Sequence, residues 1–205
     1  MGVDSLMYLT EIIRFSWIVS HLKQKRCHMK VLAYIFLMVL LSSAAIAQQK
    51  LTKEQQRNKK MVRHYAELLK VDADLCDAIA QVESSYKSKA YNNPKKPLNN
   101  EVWISRGVMQ LTFDTGKKFN RKIKKKEDLY KAENNIIAGI RYIKYLIKKY
   151  PLSTLEDITQ LYNLGETKFL QGTRNSTYTE KFQAIYWNIK EKQLSNLYLS
   201  LEAVE

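Results

Sequence analysis

LCDAIAQVESSYKS, residues 75–88, places Leu75, Ile79, Val82 and Tyr86 at steps of four, three and four. That spacing is a helix period, not a strand period. At about 100° per residue the four side chains fall within one narrow arc. Glu83 projects roughly 70° from the middle of that arc, on a flank shared with the small residues Cys76 and Ala80. It borders the buried face, and its neighbours do not fill the space beside it. A glutamate so placed either reaches out to water, as most do, or faces a cleft. The pattern alone leaves both open.

The same period recurs on either side of this helix. Thr52-Lys-Glu-Gln55 reads as a capping box, followed by Met61, Val62, Tyr65, Leu68 and Leu69 at helical spacing. Asp72 and Asp74 suit the start of the Glu83 helix, which the pattern carries to about Tyr86. Residues 87–106 read as a loop, with Pro94, Pro97, four asparagines and Trp103 as its bulky apolar anchor. GVMQLTF, residues 107–113, follows, and Asp114 is placed to cap a short helix reaching Phe119. RKIKKK, residues 121–126, reads as a solvated basic turn.

A strong helix is expected from about Lys131 to Tyr150, with Ile136, Ile140, Ile143 and Ile147 as its stripe and Tyr142, Tyr145 and Leu146 widening it. So broad an apolar surface marks it as central. Gly139 costs about 1 kcal/mol against Ala in a helix interior, which a closely packed second helix would offset. Pro151 ends the segment. Ser153-Thr-Leu-Glu156 reads as another capping box, before Leu155, Ile158, Leu161 and Tyr162, with Gly165 as the stop. A last helix, about Tyr178 to Leu199, presents Phe182, Ile185, Tyr186 and Ile189. No internal repeat or convincing alternating strand appears. The expected architecture is all-α, a single domain of about six helices over residues 48–205.

The chain has 205 residues, a net charge of +14 and 45% hydrophobic residues, enough to bury a core. Six Gly and three Pro argue against a turn-dense β fold. Lys23, Lys25, Arg26 and Lys30 precede VLAYIFLMVLLSSAAIA, residues 31–47. An apolar core of about eleven residues is signal-peptide sized and short of the ~20 that span a bilayer. Ala45-Ile-Ala47 fits signal cleavage after Ala47. Residues 29–47 are thus expected to be a signal peptide and the product periplasmic or secreted. Residues 1–28 stand outside this scheme, with Met29 as the candidate start. Cleavage removes Cys27 and leaves Cys76, so no internal disulfide can close. The remaining chain is still strongly basic, which favours polyanions such as a bacterial wall or a membrane surface.

Several chemistries lack their residues. HExxH, CxxC, a phosphate loop and GxSxG do not occur. Beyond residue 47 there is one histidine, His64, and one cysteine, in unrelated segments, which disfavours metal sites and Cys–His catalysis. No nucleic-acid motif accompanies the charge. Three short motifs stand at helix boundaries: Glu83-Ser84-Ser85-Tyr86, Gly107-Val108-Met109-Gln110-Leu111 and Tyr162-Asn163-Leu164-Gly165. With Asn135-Ile136-Ile137-Ala138-Gly139 and a late tyrosine, Tyr178, their order resembles the soluble lytic transglycosylases, over about residues 60–190.

The resemblance implies a goose-type-lysozyme-like fold with a substrate cleft and an activity cleaving the MurNAc–GlcNAc bond of peptidoglycan. Glu83 would be the single acid/base, and the muramic C6 hydroxyl would attack the anomeric carbon to leave a 1,6-anhydro end. It implies sugar contacts for Met109 and Gln110, and an opposite wall of Tyr162 and Asn163. Tyr178 would orient Glu83, and Ser84 would hold the turn or touch glycan. No cofactor or metal is implied, and the partner is the glycan strand, with a monomer sufficing. Independently of the resemblance, an apolar wall and a helix C-terminus both raise a carboxyl's pKa, as a proton donor requires. The sequence departs from the family pattern at Val108, at Leu161, and at Arg174-Asn175-Ser176-Thr177, where Pro-x-Glu-Thr is common. The alternatives are a hydrolytic lysozyme of the same fold and a non-catalytic wall-binding scaffold.

Overall fold

The computed structural model of the protein describes residues 50–92 and 104–202. Seven α-helices occur among them: α1 (Lys53–Leu68), α2 (Ala73–Ser84), α3 (Phe113–Phe119), α4 (Ala132–Lys149), α5 (Leu155–Leu164), α6 (Glu166–Leu170) and α7 (Ser176–Glu202). A 3₁₀ turn at Lys126–Tyr130 precedes α4. Residues from Leu51 onward form one unit, a helical fold as the periodicity requires. The expected boundaries at residues 28 and 47, Trp103 and both loop prolines lie outside the described residues. No helix among the described residues is long and apolar enough to cross a membrane.

Helix α2 lies between α1 and α7. Its burial is wider than the four-residue stripe, because Cys76, Ala78 and Ala80 are closed over as well as Leu75 and Ile79. Two buried carboxylates bind the three helices together. Asp77 accepts from the Tyr86 hydroxyl at 2.6 Å and from Arg63 at 3.3 Å, with Lys59 also at 3.3 Å. Asp74 accepts from Arg63 at 2.9 Å, from Gln193 at 2.8 Å and from Lys190. Tyr86 is therefore a packing residue, fully buried with its hydroxyl satisfied.

The structure ends α2 at Ser84, two residues before the periodicity does. Ser85 and Tyr86 both take left-handed backbone, φ 50° and 65°. Two side-chain amides of α1 hold that strained turn. Gln55 Nε2 donates to Ser85 O and Asn58 Nδ2 to Tyr86 O, each at 2.8 Å. The sequence pattern of α2 cannot report partners supplied by another helix. Glu83 consequently sits in the last turn of α2.

Helix α4 is the central element, against α1, α3, α5 and the 3₁₀ turn. Ile136, Ile140, Ile143 and Leu146 are fully buried, each contributing about 1.5–3 kcal/mol of hydrophobic free energy. Ile147, expected in the stripe, is exposed, while its neighbour Leu146 takes the buried place; Leu68 at the end of α1 is exposed too. At Gly139 the nearest neighbour is Met109 of the 107–110 turn rather than a second helix. A Cβ there would meet Met109 Cβ and Cγ at 2.7 Å.

Two expected caps move by a residue or more. Thr112, not Asp114, caps α3, its hydroxyl accepting from Thr115 N. Thr154 with Asp157, one step on from Ser153 and Glu156, makes the capping box of α5. Glu166 opens the short α6. The Thr52–Gln55 box forms as the sequence suggests. The 87–106 loop closes at its base with an antiparallel pair, β1 (Tyr91–Asn92) on β2 (Ser105–Arg106). In the basic turn, Arg121, Lys122, Lys124 and Lys125 are exposed while Ile123 is buried beside Gly116.

Candidate active site

Glu83 is partly exposed. Its carboxyl is packed on the other sides, and the loss of water pushes its pKa from 4.5 up to about 7. The Tyr178 hydroxyl, donating to Oε1 at 2.8 Å, opposes that rise. The α2 C-terminus, with its negative end of the helix dipole, is a further influence against ionisation. The group is thus poised to hold a proton near neutrality, as a general acid must.

The turn 107–110 lies against the end of α2, beside Ser84. Arg106 and Leu111 exchange both backbone hydrogen bonds, at 3.0 and 3.1 Å, and close a tight hairpin with Gly107 at φ 82° and Gln110 at φ 46°. Asn135 of α4, fully buried, fixes it from beneath: Oδ1 accepts from Met109 N at 2.6 Å and Nδ2 donates to Arg106 O at 2.8 Å. Ser84 ties α2 to the same turn, donating to Val108 O at 2.7 Å and accepting from Lys87 N at 3.1 Å. Its hydroxyl is spent on holding the turn, one of the two roles expected of it.

Met109 is fully buried, its side chain against Gly139 and its carbonyl accepting from Tyr162 OH at 2.7 Å. It supports the turn from inside and has no exposed surface for a sugar. Gln110 is partly exposed, but its amide is already engaged. Nε2 donates to Gly107 O at 2.8 Å and Ala90 O at 3.1 Å, and Oε1 accepts from Ser105 at 3.0 Å. It bridges the turn to the base of the 87–106 loop.

Tyr162 and Tyr178, both nearly closed over, bring α5 and α7 to Glu83. Burial pushes both phenols well above their usual range, and the nearby Glu83 carboxylate adds to it. Neither is an acid at neutral pH; each is a fixed hydroxyl donor. The Tyr162 ring continues into an aromatic group, with Tyr142 at 5.3 Å between centroids and Phe119 at 5.1 Å from Tyr142. Asn163 is partly exposed, its Oδ1 accepting from Asn175 Nδ2 at 2.9 Å.

All seven expected site residues thus gather around Glu83, the 107–110 turn and the α5–α7 junction, but not all face outward. Sequence reasoning missed Gln160 and Asn175, which join α5 to the start of α7, and the role of Asn135. An N-cap signal, Asn three residues before Tyr178, marks Asn175 in hindsight. Among the described residues no three of His, Cys, Asp and Glu come together to hold a metal ion. Other carboxylates are committed elsewhere: Asp77 to Tyr86, Arg63 and Lys59, and Glu166 to Lys149 and Tyr150.

A family model described as the transglycosylase SLT domain matches residues 60–185. A solved structure is also similar: lytic transglycosylase Slt from Pseudomonas aeruginosa, an inactive variant with glutamine in place of a glutamate. It aligns with a TM-score of 0.52 at 18% identity, covering 66% of this chain and 24% of that one. This chain therefore spans about a quarter of that protein's length, and the likeness is one of fold. No curated protein sequence matches the chain.

Proposed function

Because the chain belongs to the transglycosylase SLT domain family, we propose that it cleaves the β-1,4 bond between MurNAc and GlcNAc in peptidoglycan, with Glu83 as acid and then base. The observation that carries this is the setting of the Glu83 carboxyl: packing that strips it of water and pushes its pKa up to about 7, with the Tyr178 hydroxyl donating to it at 2.8 Å.

In the first half-reaction Glu83 gives its proton to the leaving O4 as the C1–O4 bond breaks. The carboxylate so formed takes the proton of the same muramic residue's C6 hydroxyl as O6 bonds to C1. The product is a 1,6-anhydro end, no water is consumed, and Glu83 returns to its starting state. One carboxyl suffices because the nucleophile is the substrate's own. Most glycosidases need two, and the commitment of Asp77 and Glu166 elsewhere favours the single-residue route. Asn163 makes no hydrogen bond through its own Nδ2 among the described residues, which leaves that amide free for the sugar. Tyr162 walls the site beside it. Gln110 acts through the rim it holds, and Met109 and Ser84 through the turn.

The N-terminal signal pattern, with cleavage expected after Ala47, supports an activity exerted outside the cytoplasm, in the periplasm or medium. The basic chain suits an anionic wall, and a monomer is sufficient for the reaction.

The test is mass spectrometry of muropeptides released from purified peptidoglycan by residues 48–205 and by Glu83→Gln. Anhydro-ended products that vanish in the variant are expected. Products heavier by one water would make the protein a hydrolase. Binding without release by the unsubstituted protein would make it a wall-binding scaffold.

A further inference from the structure

The start of α7 is held by one residue that has no role in the reading above. Gln160 of α5, almost fully buried, clamps the backbone of Asn175: Oε1 accepts from Asn175 N at 2.9 Å, and Nε2 donates to Asn175 O at 3.0 Å. Gln160 also donates to Thr179 one turn on. With its main chain fixed, the Asn175 side chain has a single orientation that uses both ends of the amide. Oδ1 accepts from Tyr178 N at 3.1 Å, the N-cap bond of α7. Nδ2 donates to Asn163 Oδ1 at 2.9 Å. Tyr178 then donates to Glu83, and Asn163 lies one residue from Tyr162, whose hydroxyl reaches Met109 O.

We propose that Asn175 is a positioning residue for the reaction, one side chain that sets Tyr178 and Asn163 together across from Glu83. The proposal rests on the reading of Glu83 as the acid. The geometry separates it from a plain helix cap. Capping uses only Oδ1, and Asn, Asp and Ser cap about equally well. Holding Asn163 needs the Nδ2 donor at asparagine length. Asp keeps the cap and loses the donor. Ser keeps the cap and is too short. When the Asn163 amide is released it can turn, and a reacting sugar held by it loses its alignment with Glu83.

The experiment compares Asn175→Ser, Asn175→Asp, Asn163→Ala, the double variant Asn163→Ala/Asn175→Ser and Glu83→Gln, reading Tm, kcat and KM on purified glycan strands. Expected are melting temperatures within about 2 °C of the parent for Ser and Asp, since the cap survives. For both, kcat should fall about 10- to 100-fold with a much smaller change in KM, the mark of lost alignment rather than lost binding. The double variant should be no slower than Asn163→Ala, because both act through one contact. Parental kcat in Asn175→Ser and Asn175→Asp, with Glu83→Gln inactive, overturns the proposal and leaves the Glu83 reading standing. A fall in kcat matched by a large fall in Tm in both variants makes Asn175 a structural cap only and also overturns it. Parental activity in Glu83→Gln overturns the acid reading, and the proposal with it.

Discussion

The Tyr178 hydroxyl donates to Glu83 Oε1 at 2.8 Å, joining residues 95 positions apart. Among the described residues it is the contact that acts against burial at this carboxyl. Desolvation alone favours the neutral acid, while a donor favours the anion. An acid that must reload as a base gains from both, since it has to pass through the charged form within each turnover.

Tyr178→Phe removes the donor and leaves the burial. The Glu83 pKa then rises further, because the influence that is lost is the lowering one. The acid stays protonated to higher pH, so the alkaline limb of kcat/KM moves up. The plateau should fall about tenfold, since the carboxyl is no longer oriented. A pH–rate profile for parent and variant checks both; a limb moving to lower pH would show that the hydroxyl does not stabilise the anion.

Glu83→Gln should stabilise the protein, and increasingly so with pH. The folded pKa is about 7 against an ordinary value of 4.5. Between those values the folded state holds a proton that the unfolded state has released, so the parent loses stability as pH rises through that window. Above about pH 7 the loss is complete, and below 4.5 it is absent. Glutamine does not titrate. The difference in Tm between variant and parent should therefore be larger at mildly alkaline pH than at acid pH, by thermal melts followed by circular dichroism. A pH-independent difference would mean an ordinary carboxyl.

What the sequence makes legible here is what neighbours in the chain decide. The Thr52–Gln55 box forms with both its bonds, and the Ile136–Ile140–Ile143 stripe faces the core, because those features need only residues within a turn or two. The caps of α3 and α5 slip because Thr112 and Asp114, or Ser153 and Thr154, offer nearly equivalent oxygens a step or two apart. The end of α2 is decided by Gln55 and Asn58 on α1. At the site, residue type is readable but not direction. Glu83 and Tyr178 meet, whereas Met109 turns inward on Gly139 and Gln110 spends its amide on Ala90, Ser105 and Gly107. Those orientations depend on partners tens of residues away.

Gly139→Ala sets two effects against each other. Alanine is the better helix former by about 1 kcal/mol. Its Cβ, however, would lie 2.7 Å from both Met109 Cβ and Cγ, the base of that side chain rather than its flexible tip. Overpacking of this kind costs about 1–3 kcal/mol, so net destabilisation is expected. Activity should fall as well, since Met109 O anchors Tyr162. Urea unfolding beside kcat is the check, and a stabilised, fully active variant would show that the turn gives way at no cost.

Asn135 allows the turn to be tested without touching the site. Its amide is fully buried and bonds two backbone groups at once, Met109 N and Arg106 O. Asn135→Ala leaves Met109 N without a partner away from water and Arg106 O with Leu111 N alone, which costs about 1–3 kcal/mol. Asn135→Asp keeps the shape and the acceptor for Met109 N but brings a carboxyl oxygen against Arg106 O. Protonated, that oxygen can donate and restore the bond; ionised, it is repelled and poorly solvated. The pKa of the new aspartate is therefore raised, and the variant should be nearly as stable as the parent at acid pH and lose stability as pH rises. Alanine should show no such dependence beyond the parent's own. Since Met109 O holds Tyr162, the turn and the α5 wall should loosen together, and kcat of Asn135→Asp should recover at acid pH in step with stability. Chemical unfolding at acid and neutral pH, with kcat at each, reads this directly. Equal losses for Asp at both pH values would mean that the second hydrogen bond, to Arg106 O, contributes nothing to the turn.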